Sequence, residues 1–103
     1  MVRAILIDSV ERTVSETAVS EVWADIRRRF ETGKFIRVAT LPAGDGVYVT
    51  AEAKDSPATF RLGGSEKFAG CGLVLGKRGE FGMICDAVTD ADDVELLTEF
   101  DPR

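Results

Sequence analysis

The segment Val2 to Asp8, VRAILID, is apolar on both of its alternating faces: Val2, Ala4 and Leu6 fall on one side, Ile5 and Ile7 on the other. Successive side chains of a strand point to opposite sides, so this segment needs apolar cover above and below it. It predicts a central strand inside a layered fold. Ser9 to Arg12 reads as a turn, and Thr13 to Thr17, with threonines at alternate positions beside Val14 and Glu16, as a weaker strand nearer an edge.

From Ser20 the period changes. Val19, Trp23, Ile26 and Phe30 recur at three- and four-residue spacing with Val22 beside them, which predicts an amphipathic helix over about 20–32. Ser20 is its expected N-cap and Gly33 its expected stop. Arg27, Arg28 and Arg29 lie mostly off the apolar stripe, within helical reach of Glu21 and Asp25, and read as a solvated, salt-bridged face.

Phe35 to Leu41 and Val47 to Glu52 then read as a hairpin joined by the turn formers Pro42-Ala43-Gly44-Asp45-Gly46. Lys54-Asp55-Ser56-Pro57 breaks the alternation, which Ala58, Phe60 and Leu62 resume. Thr89 to Phe100 returns to helical spacing, with Val94, Leu97 and Phe100 on one side and Asp90, Asp92 and Asp93 where acids favour the positive end of the dipole. A chain of 103 residues fits one core, burying roughly two-thirds of its unfolded surface. The expectation is a single α+β domain over 1–103: a mostly antiparallel β-sheet, one long helix (about 20–32) and a short C-terminal helix (about 90–100).

Seven of the ten glycines fall in GGSEKFAGCGLVLGKRGEFG, residues 63 to 82. A P-loop needs G-x-x-x-x-G-K-[ST], but Arg78 follows Gly76-Lys77 where Ser or Thr is required, and Cys71 stands where the first glycine belongs. The dinucleotide pattern fails as well, because Gly70-Cys71-Gly72 lacks its third glycine. A hairpin accounts for more residues: Gly72 to Gly76 against Glu80 to Ala87, with Gly79 in the left-handed position of the loop Lys77-Arg78-Gly79. Counting outward sets Leu75 opposite Phe81, Leu73 opposite Met83 and Cys71 opposite Cys85. The glycine-rich segment left over, Gly63 to Gly70, combines flexibility with charge, and is the expected place for a small anionic ligand. Arg61, Gly63, Gly64, Lys67 and Arg78 are its candidate residues.

Function classes narrow by exclusion. With no histidine, Ser-His-Asp and Cys-His centres are ruled out. No catalytic residue is assigned, and an enzyme is the lesser expectation. Cys71 and Cys85 read first as small buried hydrophobes, and as a thiol-dependent pair second. Two cysteines without histidine fall short of a zinc site, so no metal or cofactor is expected. The net charge of −5 argues against direct DNA binding, and no apolar run nears the roughly 20 residues that cross a bilayer. A cytoplasmic location with reduced thiols is the expectation.

Seven acidic residues and no basic one lie between Asp86 and Asp101. Asp90, Asp92, Asp93, Glu95 and Glu99 read as a helix-capping, solvated face or, more sharply, as a surface for a basic partner.

Three stretches carry a resemblance: Ala4-Ile5-Leu6-Ile7-Asp8 with Thr13-Val14, Thr59-Phe60-Arg61-Leu62-Gly63-Gly64, and Phe68-Ala69-Gly70-Cys71-Gly72-Leu73-Val74-Leu75-Gly76. Their order and spacing over residues 3 to 82 resemble a family of short bacterial, plasmid and phage proteins catalogued as a domain of unknown function (3846-like). Ser9 departs from the proline usual after the first stretch, and the residues after Tyr48-Val49 are less acidic than the family's. The resemblance implies a small accessory protein of mobile elements and transfers no active site. The leading expectation is a non-enzymatic binder of a macromolecular partner, protein above all. The alternatives are a small-ligand or nucleotide binder using Gly63 to Gly70, and a thiol activity of Cys71 and Cys85. A second copy of the chain is another way to cover an open sheet edge.

Overall fold

The central strand of the molecule is β7 (Gly72–Leu75), whose every residue is buried. The computed structural model describes residues 1–32, 34–52 and 56–101. Strand β7 is flanked on one side by β1 (Val2–Asp8) and on the other by β4 (Gly46–Thr50). Beyond these lie β2 (Thr13–Val19) and β3 (Phe35–Thr40), giving a five-stranded antiparallel sheet in the order β2-β1-β7-β4-β3. A second antiparallel sheet has the order β6-β5-β8, formed by β5 (Thr59–Leu62), β6 (Phe68–Ala69) and β8 (Thr98–Phe100). The helices are α1 (Trp23–Arg29) and α2 (Ala91–Leu97).

The alternation of β1 has the predicted consequence. Ile5 and Ile7 enter a core with Val47, Val49 and Val74, closed by Phe60, Leu62 and Phe68 of the second sheet and Val94 of α2. Ala4 faces the other way, with Leu73 and Leu75, into a core closed by Ile26 of α1 and by Phe35 and Ile84. The molecule is an α+β fold of three layers: α1, the five-stranded sheet, and the second sheet with α2.

Several expectations are corrected. Instead of one sheet there are two, and among the described residues no helix is long. The helix expected over about 20–32 has seven residues. Val19 remains in β2, paired with Val2, and the Ser20 hydroxyl accepts the Val22 N–H at 3.0 Å, so the chain is extended at Val22 before it coils. At the far end the Glu31 N–H reaches Arg28 O at 3.2 Å and the Thr32 N–H reaches Arg27 O at 3.0 Å. These are the paired bonds of a Schellman cap, with Glu31 at φ +52° in the left-handed position. The stop expected at Gly33 lies outside the described residues, as do Lys54 and Asp55 of the expected break.

The helix expected over about 90–100 ends at Leu97. The Thr98 hydroxyl donates to Val94 O at 2.7 Å, and Thr98, Glu99 and Phe100 pair with Leu62, Arg61 and Phe60 as a strand. The spacing of Val94, Leu97 and Phe100 fits a helix, but the second sheet captures its last member.

The hairpin expected between Gly72 to Gly76 and Glu80 to Ala87 does not form in that register. Both flanks of β7 are already taken by β1 and β4. The returning chain instead bridges Arg78 to Ile84 and donates the Cys85 N–H to Lys77 O at 3.0 Å. Glu80–Gly82 forms a 3-10 turn that leaves Phe81 97% exposed rather than opposite Leu75. Residues 85 and 86 cross so close to Gly76 that a Cβ there would lie 2.4 Å from Cys85 O and 2.3 Å from Asp86 O.

Candidate functional site

Because α1 is short, it leaves a cavity of about 740 Å³ between its outer turn, the β3–β4 hairpin and the exit of β7. Five basic side chains among the described residues line it: Arg27, Lys34, Arg37, Lys77 and Arg78. No carboxylate is among the described residues of its lining. In a chain of net charge −5 this is a concentrated positive field.

Each cation is placed by its element. Trp23 and Arg27 are one turn apart on the same side of α1. Phe35 and Arg37 share a face of β3, with Lys34 immediately before the strand. Arg37 pairs across the ladder with Tyr48, and its guanidinium carbon stands 6.0 Å from the Tyr48 ring centroid. The Tyr48 ring lies back over Gly46, where a Cβ would come within 2.9 Å of Cε2, so the flat ring requires that glycine. After β7, Gly76 releases Lys77 and Arg78, and the Arg78 guanidinium carbon sits 4.9 Å over the Trp23 ring. Trp23 in turn meets Phe35 at 5.5 Å and Tyr48 at 5.2 Å between ring centroids.

Lys34, Arg37, Lys77 and Arg78 have no carboxylate within ion-pair reach among the described residues; Arg37 donates to Thr40 Oγ1 at 2.9 Å. The arginine triplet is therefore divided. Arg28 pairs with Asp25 at 2.6 Å as expected of a solvated face, and Arg29 donates to Ala18 O and Thr17 Oγ1, but Arg27 turns into the cleft. Asp45, the buried acid of the β3–β4 turn, is held by backbone: its carboxylate accepts the Thr89 N–H at 2.7 Å and the Val88 N–H at 3.0 Å.

Of the residues expected to bind an anion, only Arg78 lines this cleft. Arg61 lies on β5, donating to Asp101 Oδ1 at 3.3 Å and Ser65 O at 3.4 Å. Gly63 and Gly64, at φ +56° and +81°, form a tight turn closed by Ser65 N–H to Leu62 O at 3.1 Å. Lys67 is exposed on the same hairpin. Beside that turn is a smaller cavity of about 460 Å³, walled by Val38, Leu41, Phe68 and Leu97, with Glu66 as its charged residue. Trp23, Lys34, Arg37, Tyr48 and Lys77 are not among the residues expected from the sequence to bind a ligand.

The other expected residues also separate. Cys71 and Cys85 are both free thiols, at opposite ends of the β7 segment rather than facing each other. Burial, then the neighbouring Asp8 carboxylate, pushes the Cys71 thiol up, which disfavours the reactive thiolate. Asp90, Asp92, Asp93, Glu95 and Glu99 lie on or beside α2, behind the sheet from the cleft. Asp90 is 3.5 Å from Arg3, and the other four are exposed.

Among the described residues no cluster of His, Cys, Asp or Glu is arranged to hold a metal ion. No helix among them is long and apolar enough to cross a membrane. No family model, curated protein or solved structure matches the chain.

Proposed function

We propose that the chain is a small non-enzymatic binding protein whose cleft holds a phosphorylated small molecule. The observation that carries this reading is the gathering of five cations around one cavity, with no carboxylate among the described residues of its lining, in an acidic protein. Clustered like charges destabilise a fold through mutual repulsion, and an anion that neutralises them removes that cost. The cavity lies within the range of roughly 300–1,000 Å³ typical of small-ligand sites. The small-ligand expectation is thus moved from the Gly63 to Gly70 loop to the opposite side of the sheet.

The test is a thermal-shift titration with sodium tripolyphosphate at low salt. The melting temperature of the wild type should rise, the rise should shrink as salt screens the site, and the Lys77→Ala/Arg78→Ala variant should lose it. No shift in the wild type at low salt, or an equal shift in the variant, contradicts the reading.

One observation favours a protein partner as a second reading. Leu96 is 85% exposed on α2 beside Asp92, Asp93 and Glu95, an apolar centre within an acidic rim. If the captured set in a pull-down does not change when Asp92 and Asp93 are reversed in charge, that surface is not the contact.

A further inference from the structure

We infer that the ligand of the cleft is a nucleotide carrying two or more phosphates, its base stacked on the outward planes of Arg37 and Arg78; this rests on the phosphate-binding reading above. Two of the five cations differ from the rest in how they are held. Arg37 lies over Tyr48, 6.0 Å from its centroid, and Arg78 lies over Trp23 at 4.9 Å. A guanidinium laid on an aromatic ring has one plane occupied and the other free, with its N–H donors directed outward along its edge. Nucleobases stack on such guanidinium planes as they do on aromatic rings.

The remaining cations supply a different kind of contact. Lys34 and Lys77 are compact charges on flexible stems, suited to phosphate oxygens rather than to a ring. The cleft thus has flat cationic surfaces backed by three aromatic rings, and separate point charges at its rim. A bare phosphate would use the second set and leave the first idle. The cavity of about 740 Å³ is also far larger than one phosphate group requires. The three cations not laid on these rings, Arg27, Lys34 and Lys77, match a chain of several phosphates better than a single one. The backbone leaves room for close approach as well: at Gly44, at φ +102°, an added Cβ would meet nothing within 4 Å.

The experiment is calorimetric titration of the full chain at fixed low salt with ATP, UTP, tripolyphosphate and a ten-nucleotide oligouridylate. The fluorescence of Trp23, the one tryptophan of the chain, is followed in parallel. Both nucleoside triphosphates should bind about tenfold more tightly than tripolyphosphate, the scale of one stacked base, and should perturb Trp23. The Arg37→Lys/Arg78→Lys variant keeps the charge and removes the planes. It should bind tripolyphosphate within about threefold of the wild type while losing the preference for nucleotides. Tripolyphosphate binding as tightly as ATP overturns the nucleotide inference and leaves the phosphate reading standing. An oligouridylate that binds about tenfold more tightly than either nucleotide overturns it in favour of a polymer. If neither tripolyphosphate nor nucleotide binds, the phosphate reading falls with it.

Discussion

The two faces of the five-stranded sheet are covered by different amounts of protein. On one, β5, β6, β8 and α2 form a full layer, whose Phe60 and Val94 are completely buried against the sheet. On the other, α1 has seven residues and so runs only about 10 Å, against about 19 Å across five strands. Its cover is completed by aromatic rings and by arginines lying on them rather than by another helix. The sealed face accounts for stability, and the short cover on the open face leaves a cavity in which charge can be displayed.

The largest expected effect tests the sealed face. Phe60 meets Phe68 at 5.5 Å and packs so closely on β7 that a Cβ at Gly72 would lie 2.7 Å from its ring. Phe60→Ala should cost about 4 kcal/mol in urea unfolding. A loss below about 1 kcal/mol would show that this layer is not the closed core described. Asp45 joins the two sides, tying residues 88 and 89, which lead to α2, to the turn at the mouth of the cleft. Asp45→Ala should cost about 2 kcal/mol in the same assay, because it strips a charged acceptor from two backbone N–H groups.

A smaller effect sharpens the open face. Glu31 ends α1 at φ +52°, so Glu31→Gly should raise stability by about 0.5 kcal/mol, whereas Glu31→Ala should not. The smallest concerns Asp101 at the rim of the second sheet. The Thr59 hydroxyl at 2.7 Å, and then Arg61, hold its carboxyl below the ordinary carboxylate range. A depressed carboxyl contributes stability that is present above its unfolded value of about 4 and is lost as the pH falls through the lower folded value. Asp101→Asn should flatten that part of the acid limb in a series of urea midpoints.

Much of the sealed architecture is legible in the chain because it depends on local alternation. The two-sided pattern of Val2 to Asp8, the threonine-rich edge strand and the hairpin around Pro42 to Gly46 all form as read. The same two-sided pattern occurs in Leu73, Val74 and Leu75, and marks a strand with neighbours on both sides. Reading it as half of a local hairpin overlooks that β1 and β4 would claim both flanks. Helix lengths fail for a related reason: a three- and four-residue spacing continues through Val19 and Phe100, but pairing to Val2 and Phe60 decides their state. The cleft was the least legible feature. Its cations come from three separate segments, and each looks like ordinary surface charge alone. One sequence signal was available, since Arg37 falls opposite Tyr48 if the β3–β4 register is counted inward from Phe35 and Thr50.

The most direct test of the central claim, that the open face binds and the sealed face supports, is a titration with ATP followed by backbone amide chemical shifts. The shifts should concentrate in residues 34–37, 44–48 and 76–78, around the cleft, and leave residues 90–99 on the far side unmoved. Shifts centred on residues 61–67 or 90–99, or none at all at saturating ATP, would contradict it.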